Sequence, residues 1–331
     1  MFVSGNKLCY NGSKLVLEGG CRMIYNNVRH ECNLYNFFFA PRGNRRVMEL
    51  GRKITQMYLN PFDKIIGIIG AKDSGKSMLI KGMFPGIQTV ESDDEFDILN
   101  MPLLNAEDVG FYTPRTFHVD VRSARKYVSL EDIAKAVQNV TEMNKRVIVE
   151  HFEILYPVLK RNADLLIGIG EEVIVTRPSL FGPLPDNIAH VVFNSLIYRK
   201  MAHSAEDLFG YCVKDLERPK CIRSDIKHGF MLNYTEKPTF DLEEIEEKMQ
   251  DIIRQDLPIR PYDEEHIQIG DYVMECTGPL LHVESTGQIE KFSLVKEYYY
   301  EPKFHLYAVA GTVGHKHEET ETDEELNNIE I

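Results

Sequence analysis

The hydrophobic pattern changes character three times along the chain. Residues 1–40 alternate apolar and polar positions, with glycine and asparagine between them. KLCYNGSKLVLEGGCRMIY predicts one or two short hairpins with Asn11-Gly12 as a turn. In NRRVMELGRKITQMY (44–58) the apolar positions Val47, Leu50, Ile54 and Tyr58 fall on one helical face. Asn60-Pro61 then breaks the chain.

From Asp63 the runs become continuous and apolar. KIIGIIG reads as a buried strand, followed by a loop and a helix to Phe84, which Pro85-Gly86 ends. IQTV, TFHVDV (116–121) and RVIVEHF (146–152) read as further strands, with LEDIAKAVQNVTEMN (130–144) a helix. LLIGIG and EEVIVTRP (165–178) supply one or two more strands. Strands without alternation, interleaved with helices, predict a mainly parallel sheet covered on both faces.

After Pro183-Leu184-Pro185 the pattern changes again. Asp186 is the expected cap of a long helix running to about Tyr211. CIRSDIKHGFMLNY is strand-like. Asp241 is the expected cap of a helix striped by Leu242, Ile245, Met249 and Ile252. Leu257-Pro258 stops it, and HIQIGDYVME, QIEKFSLVKEY and FHLYAVAGTV predict three more strands. The expected layout is N-terminal strands and a helix (1–60), an α/β domain (61–185), an α+β domain with an antiparallel sheet (186–312) and a tail (313–331).

Composition narrows the function classes. A length of 331 residues fits two domains, and 43% apolar residues can build their cores. No apolar run approaches the roughly 20 residues of a membrane span, and no signal-peptide layout opens the chain. The six cysteines are scattered, with no CxxC pair. They read as reduced thiols, so a cytoplasmic location is expected. Cys21, His30 and Cys32 have no ligand spacing. The net charge of −13 argues against broad binding to nucleic acid. Part of it sits in residues 315–331, which have little to bury and are expected to be disordered.

The most specific chemistry is Gly70-Ala71-Lys72-Asp73-Ser74-Gly75-Lys76-Ser77, a GxxxxGK[ST] motif between a predicted strand and a predicted helix. Glycines let the backbone curl until its N–H groups point at phosphate oxygens, and the helix start adds its own free N–H groups. Lys76 is placed to reach the β and γ phosphates and Ser77 to ligate Mg²⁺. Residues 70 and 72–78, through Met78, are therefore the expected site for a nucleoside triphosphate. ATP is the expected nucleotide, although no base-reading motif separates it from GTP. A second acid should serve the metal or the acceptor. Glu150, at the end of VIVE, is the first candidate, with Asp93, Asp94 and Asp120 as rivals. Arg122, Arg125 and Arg177 could clamp phosphates, though a surface arginine explains each of them as well. The stretch from the loop to VIVEHFEILYP resembles the small-molecule P-loop kinases of the uridine kinase type. The resemblance implies that an acid after the second strand acts on the acceptor hydroxyl.

A second constellation lies in the C-terminal half. In YRKMAHSAEDLF, His203 and Asp207 are four residues apart and share a helix face. Cys276 and His282 lie in one loop, CTGPLLH. Together they are a possible four-ligand zinc set, while a packed cysteine and satisfied histidines are the plainer explanation. His228 and His266 read as packed or solvent-facing.

RMAHSAEDL and HIQIGDYVMECTGPLLHVESTGQIEKFSLVKE resemble the second additional domain of alanyl- and threonyl-tRNA synthetases, over about residues 198–300. That resemblance implies zinc held by HxxxH and CxxxH, and removal of wrongly attached amino acids from tRNA. With the loop in front, the chain resembles a bacterial family known by that domain. It departs in two places: Asp207 stands at the second histidine, and five residues instead of three separate Cys276 from His282. The expected function is an ATP-controlled, trans-acting hydrolase of mischarged alanyl-type tRNA. Its partner would be the aminoacyl-tRNA acceptor end, and Arg199, Lys200, Lys214, Arg218, Lys220, Arg223 and Lys227 could provide the basic strip to meet it, though a solvated face explains them equally well. The alternatives are a kinase whose second domain recognises a free amino acid or other small acceptor, and a nucleotide-gated binding module without turnover.

Overall fold

The computed structural model describes residues 9–11, 14–16, 35–86, 116–214, 216 and 221–314. IQTV, Asp93, Asp94, Arg218, Lys220, Cys21, His30, Cys32 and the acidic tail lie outside the described residues. The chain divides into two compact units, Met1–Leu34 and Tyr35–Ile331. In the first, β1 (Cys9–Asn11) and β2 (Lys14–Val16) pair antiparallel with Asn11 opposite Lys14. Asn11 closes β1, and Gly12, the other residue of the expected turn, lies outside the described residues.

The second unit opens with β3 (Asn36–Phe39) and α1 (Asn44–Tyr58). Val47, Leu50 and Ile54 form the buried stripe of α1. Then come β4 (Ile65–Gly70), buried at every residue, and α2 (Lys76–Met83). β5 (Thr116–Asp120) runs into the short α3 (Val121–Ala124), and α4 (Leu130–Glu142) follows, capped by Ser129 on Asp132 N. β6 (Arg146–Glu150), α5 (Phe152–Leu159), β7 (Leu165–Ile169) and β8 (Glu172–Thr176) complete this half.

These strands make one six-stranded sheet in the order β3-β8-β7-β4-β6-β5. β7, β4, β6 and β5 are parallel neighbours, while β8 and β3 join antiparallel. β8 reverses because only Gly170 and Glu171 separate it from β7, and a parallel return needs a crossover of a dozen residues or more. One face, with Ile66, Ile68, Ile148 and Ile167, packs on α1 and α2. The other, with Phe117, Val119, Val147 and Val149, packs on α4 and α5.

α6 (Pro185–Cys212) is 28 residues long. Its N-cap is Leu184, with no side-chain cap, and Asp186 lies inside the first turn, so the expected Asp186 cap is corrected. Pro185 at the first helical position needs no N–H partner, which lets the helix start there. Ile188, Val191 and Val192 of α6 join the α4/α5 face of the sheet. Ala205, Leu208 and Phe209, further along, belong to a second core.

β9 (Cys221–Ile226) follows, and β10 (Gly229–Tyr234) and α7 (Leu242–Gln255) line that second core, α7 being capped by Asp241 on Glu243 N and Glu244 N. β11 (Ile259–Pro261), β12 (His266–Ile269) and β13 (Tyr272–Glu275) form a three-stranded antiparallel sheet. HIQIGDYVME is therefore a hairpin of two strands, turning at Gly270-Asp271. β14 (Ser293–Leu294), β15 (Tyr299–Glu301) and β16 (Leu306–Thr312) build the other antiparallel sheet with β10 and β9. QIEKFSLVKEY contributes only the two residues of β14 to it. No helix among the described residues is long and apolar enough to cross a membrane.

Candidate functional site

Chemistry-bearing side chains gather in two clusters, and α6 carries residues that reach both. The first is the loop between β4 and α2. Gly70 ends β4, and a Cβ there would fall 2.6 Å from Ser74 Oγ. Gly75 has φ +95°, a left-handed conformation that glycine adopts without penalty. Ser74 and Lys76 are buried, Asp73, Ser77 and Met78 are half-buried, and Lys72 is exposed. Lys76 Nζ donates to Ala71 O at 2.8 Å, closing the loop on itself. Burial lowers the Lys76 pKa. The charges of Glu150, Asp120, Glu153 and Asp73 act against that shift.

Glu150 is 4% exposed, at the carboxyl end of β6, and hydrogen bonds to His118 Nε2 at 2.8 Å. Burial by itself would raise its carboxyl. The His118 hydrogen bond and the neighbouring His118, Lys76 and His151 hold it below the usual carboxylate range. His151 has φ +57°, uncommon away from glycine, and its Nδ1 meets Glu153 Oε1 at 3.1 Å. The carboxyl ends of β4, β5 and β6 thus bring Lys76, His118, Glu150, His151 and Glu153 into one neighbourhood. Asp120 is there too, but its carboxylate caps α3 through Arg122 N and Ser123 N. His118, His151 and Glu153 were not anticipated. The signal for His118 was its place two residues before Asp120 on one strand, which puts both on the same face.

The arginine expectations change. Arg122 and Arg125 are exposed. Arg177 pairs with Asp63 at 2.7 Å and also donates to Tyr58 O. Because β8 is antiparallel, its far end lies at the start of β4, opposite the loop, so Arg177 is not a phosphate clamp.

The second cluster is His203, Asp207, Cys276 and His282, whose ligand atoms all lie within 4.8 Å of one another. All four side chains are buried. His203 and Asp207 project from one face of α6, and Cys276 directly follows β13. Cys276 Sγ is 3.7 Å from His203 Nε2 and 3.9 Å from His282 Nε2. Asp207 Oδ2 is 3.0 Å from His282 Nε2 and 3.6 Å from His203 Nε2. A tetrahedral zinc with its usual bond lengths has N···N or N···O edges of about 3.3 Å and N···S edges of about 3.6 Å. The five residues between Cys276 and His282 turn back tightly enough to bring both side chains to one point.

The surrounding contacts favour a cation. His203 Nδ1 faces Leu281 O and His282 Nδ1 faces Pro279 O, both at 3.1 Å. Donation to these carbonyls leaves each Nε2 lone pair aimed at the cluster. The rings stack with centroids 4.2 Å apart. Burial, with His282 beside it, pushes the His203 pKa well below its usual value. Burial and Asp207 raise the Cys276 thiol. A bound zinc reverses that last effect, because it holds the thiolate. Arg223 Nη1 at 3.3 Å fixes the other oxygen of Asp207. The donor set, its spacing and its tautomers fit zinc.

The expected basic strip is corrected in two places. Arg199 is 3% exposed and points inward, to Ser74 O and Gly170 O. Arg223 is engaged by Glu206 and Asp207. His228 lies in the turn between β9 and β10, and its N–H donates to the Glu171 carboxylate at 2.5 Å. His266 pairs with Asp263 near the surface.

No protein-family model and no curated protein matches the chain. Among solved structures it is similar to the ornithine aminotransferase from Toxoplasma gondii ME49. That match has 11% identity and a TM-score of 0.24, over 75% of this chain and 68% of that one. It is also similar to a NifS-like protein, at 10% identity and a TM-score of 0.23, over 90% and 81%. Similarity at this level carries no argument about chemistry.

Proposed function

We propose that the chain binds a nucleoside triphosphate on the loop 70–77 and acts on its terminal phosphoryl group, with its C-terminal half organised around a zinc ion. The observation that carries the first part is the position of Lys76. Its amine is buried at the loop and lies within electrostatic reach of Glu150, Asp120, Glu153 and Asp73. A triphosphate offers that amine better acceptors than the Ala71 carbonyl, and the N–H groups at the start of α2 face the same anion. Ser77 and Glu150 would hold Mg²⁺, which neutralises charge on the phosphates. Glu150, ionised and braced by His118, orients the metal or the attacking hydroxyl. His151 and Glu153 line the same end of the sheet.

On this reading the zinc is structural. Four protein groups converge and are buried, whereas catalytic zinc sites keep one position open for water. Aminoacyl-ester hydrolysis of the kind implied by the tRNA synthetase resemblance would require one of the four to leave the ion. A kinase or triphosphatase needs no such rearrangement.

The test is calorimetric titration of Mg-ATP into wild type and Lys76→Ala, with zinc measured in both. Wild type should bind, and Lys76→Ala should bind at least about 100-fold more weakly, the loss of one charge-assisted contact of about 3 kcal/mol. Zinc should stay at one per chain in both, and fall in Cys276→Ser. Equal affinity in Lys76→Ala would refute the triphosphate site. Hydrolysis of mischarged alanyl-type tRNA that disappears in Cys276→Ser, with the fold intact, would make the zinc catalytic instead.

A further inference from the structure

Arg199 sits on α6 one turn before His203 and two turns before Asp207. Its side chain reaches the triphosphate loop. Nη1 donates to Ser74 O at 2.8 Å and to Gly170 O at 3.3 Å, and Nη2 donates to Pro41 O. Burial lowers its pKa to about 9, so it remains charged at neutral pH. A trans peptide is planar, with its C=O and N–H pointing in opposite directions. Fixing Ser74 O on Arg199 therefore fixes the Gly75 N–H pointing away from Arg199. That N–H has no hydrogen-bond partner among the described residues.

The segment that accepts Arg199 at Pro41 also touches the zinc loop. Asn44 N donates to Thr277 O at 3.0 Å. A Cβ on Gly278 would lie 2.2 Å from Arg42 O and 3.2 Å from His203 Cε1. Arg42 in turn pairs with Glu206 of α6 at 2.8 Å. The zinc ligands and the triphosphate loop thus share two rigid connections, α6 through Arg199 and the strap of residues 41–44.

We propose that Arg199 is a positioning residue for the triphosphate loop, and that through it zinc and nucleotide each raise the affinity for the other. This rests on the reading of residues 70–77 as a triphosphate site. Zinc fixes His203 and the 276–282 loop, so the seat of Arg199 and of the strap is ordered before nucleotide arrives. Less ordering is left for the nucleotide to impose. Linkage makes the effect reciprocal, with the same factor in both directions, and site-to-site couplings run at about 5–150-fold.

Two measurements test this. In wild type, zinc affinity is found by competition with a chromophoric chelator, with and without a non-hydrolysable ATP analogue in excess Mg²⁺. Lys76→Ala is run alongside to subtract chelation of zinc by the nucleotide. The analogue should tighten zinc binding at least about 5-fold, and zinc should tighten analogue binding by the same factor. In zinc-loaded Arg199→Met, analogue affinity should fall tenfold or more while zinc stoichiometry holds, with Arg199→Lys recovering part of the loss. If Arg199→Met does not fold, the wild-type linkage decides alone. Zinc affinity indifferent to the analogue, in a wild type that binds the analogue, overturns this inference and leaves the triphosphate site standing. A wild type that binds no analogue overturns both.

Discussion

Glu171, in the turn between β7 and β8, has a carboxyl whose pKa burial raises to about 7. Glu172 adds to the rise, while the His228 N–H, Lys227 and Arg42 oppose it. The group is protonated in the folded chain at pH values where the unfolded chain has already ionised. Stability is therefore lost as pH climbs from the ordinary carboxylate value of 4.5 to about 7. At about 1.4 kcal/mol per pH unit, the effect is roughly 3 kcal/mol. Urea denaturation of wild type and Glu171→Gln at pH 5 and pH 8 should show it. Wild type loses about 2.5 kcal/mol more than the variant over that interval, since a part of the effect is already spent at pH 5. Parallel pH profiles would mean Glu171 ionises normally. Residues such as Glu171 and Arg199 were not legible in the sequence, where Arg199 read as part of a basic surface. Their burial is decided by distant partners, Ser74 lying 125 positions from Arg199. His203 and Asp207 were legible as neighbours, because helical spacing alone puts them on one face. What brings Cys276 and His282 to them is tertiary; the residue types allowed a four-ligand set, and resemblance strengthened it.

At the scale of elements, α1 and α2 are held together by two glycines. A Cβ on Gly51 would lie 2.4 Å from Leu79 O, and one on Gly82 would lie 2.1 Å from Met48 O. Local propensity and packing pull in opposite directions here. In a free helix, alanine is better than glycine by about 1 kcal/mol. In this contact the methyl group meets backbone, which cannot rotate away, and overpacking costs about 1–3 kcal/mol or more. Packing wins, so Gly82→Ala should destabilise the chain in urea. It should also weaken Mg-ATP binding, because α2 carries Lys76 and Ser77 at its start. A neutral or stabilising Gly82→Ala would show that the two helices can part at little cost. The helices themselves were readable, since apolar spacing in α1 and α7 and the Asp241 cap are local signals. The reversal of β8 was also present in the sequence, in a connection too short for a crossover. The continuous apolar run of EEVIVTRP concealed it, because a buried strand reads the same in either direction.

At the scale of the molecule, α6 decides how many cooperative bodies Tyr35–Ile331 contains. It is 28 residues, about 42 Å long, and supplies side chains to both cores. Sequence composition placed a boundary near residue 185, at the prolines, and the helix begins there. Continuity of the helix is a different matter from continuity of its burial. Ile188, Val191 and Val192 cover the sheet, and Ala205, Leu208 and Phe209 fill the second core. Removing Ile188, Val191 and Val192 from the sheet forfeits roughly 5–9 kcal/mol of burial. That is comparable with the whole stability of a domain, about 5–15 kcal/mol. A fragment of residues 35–184 should therefore lack a cooperative thermal transition, although it contains every strand of the six-stranded sheet. In the full chain, scanning calorimetry should give one transition with equal calorimetric and van't Hoff enthalpies. Zinc removal should move that whole transition to lower temperature, because His203 and Asp207 lie on the shared helix. Two transitions, with only one sensitive to zinc, would mean that α6 yields between its halves. The zinc cluster could then not stabilise the triphosphate loop through that helix, and the strap of residues 41–44 would be left to carry the connection alone.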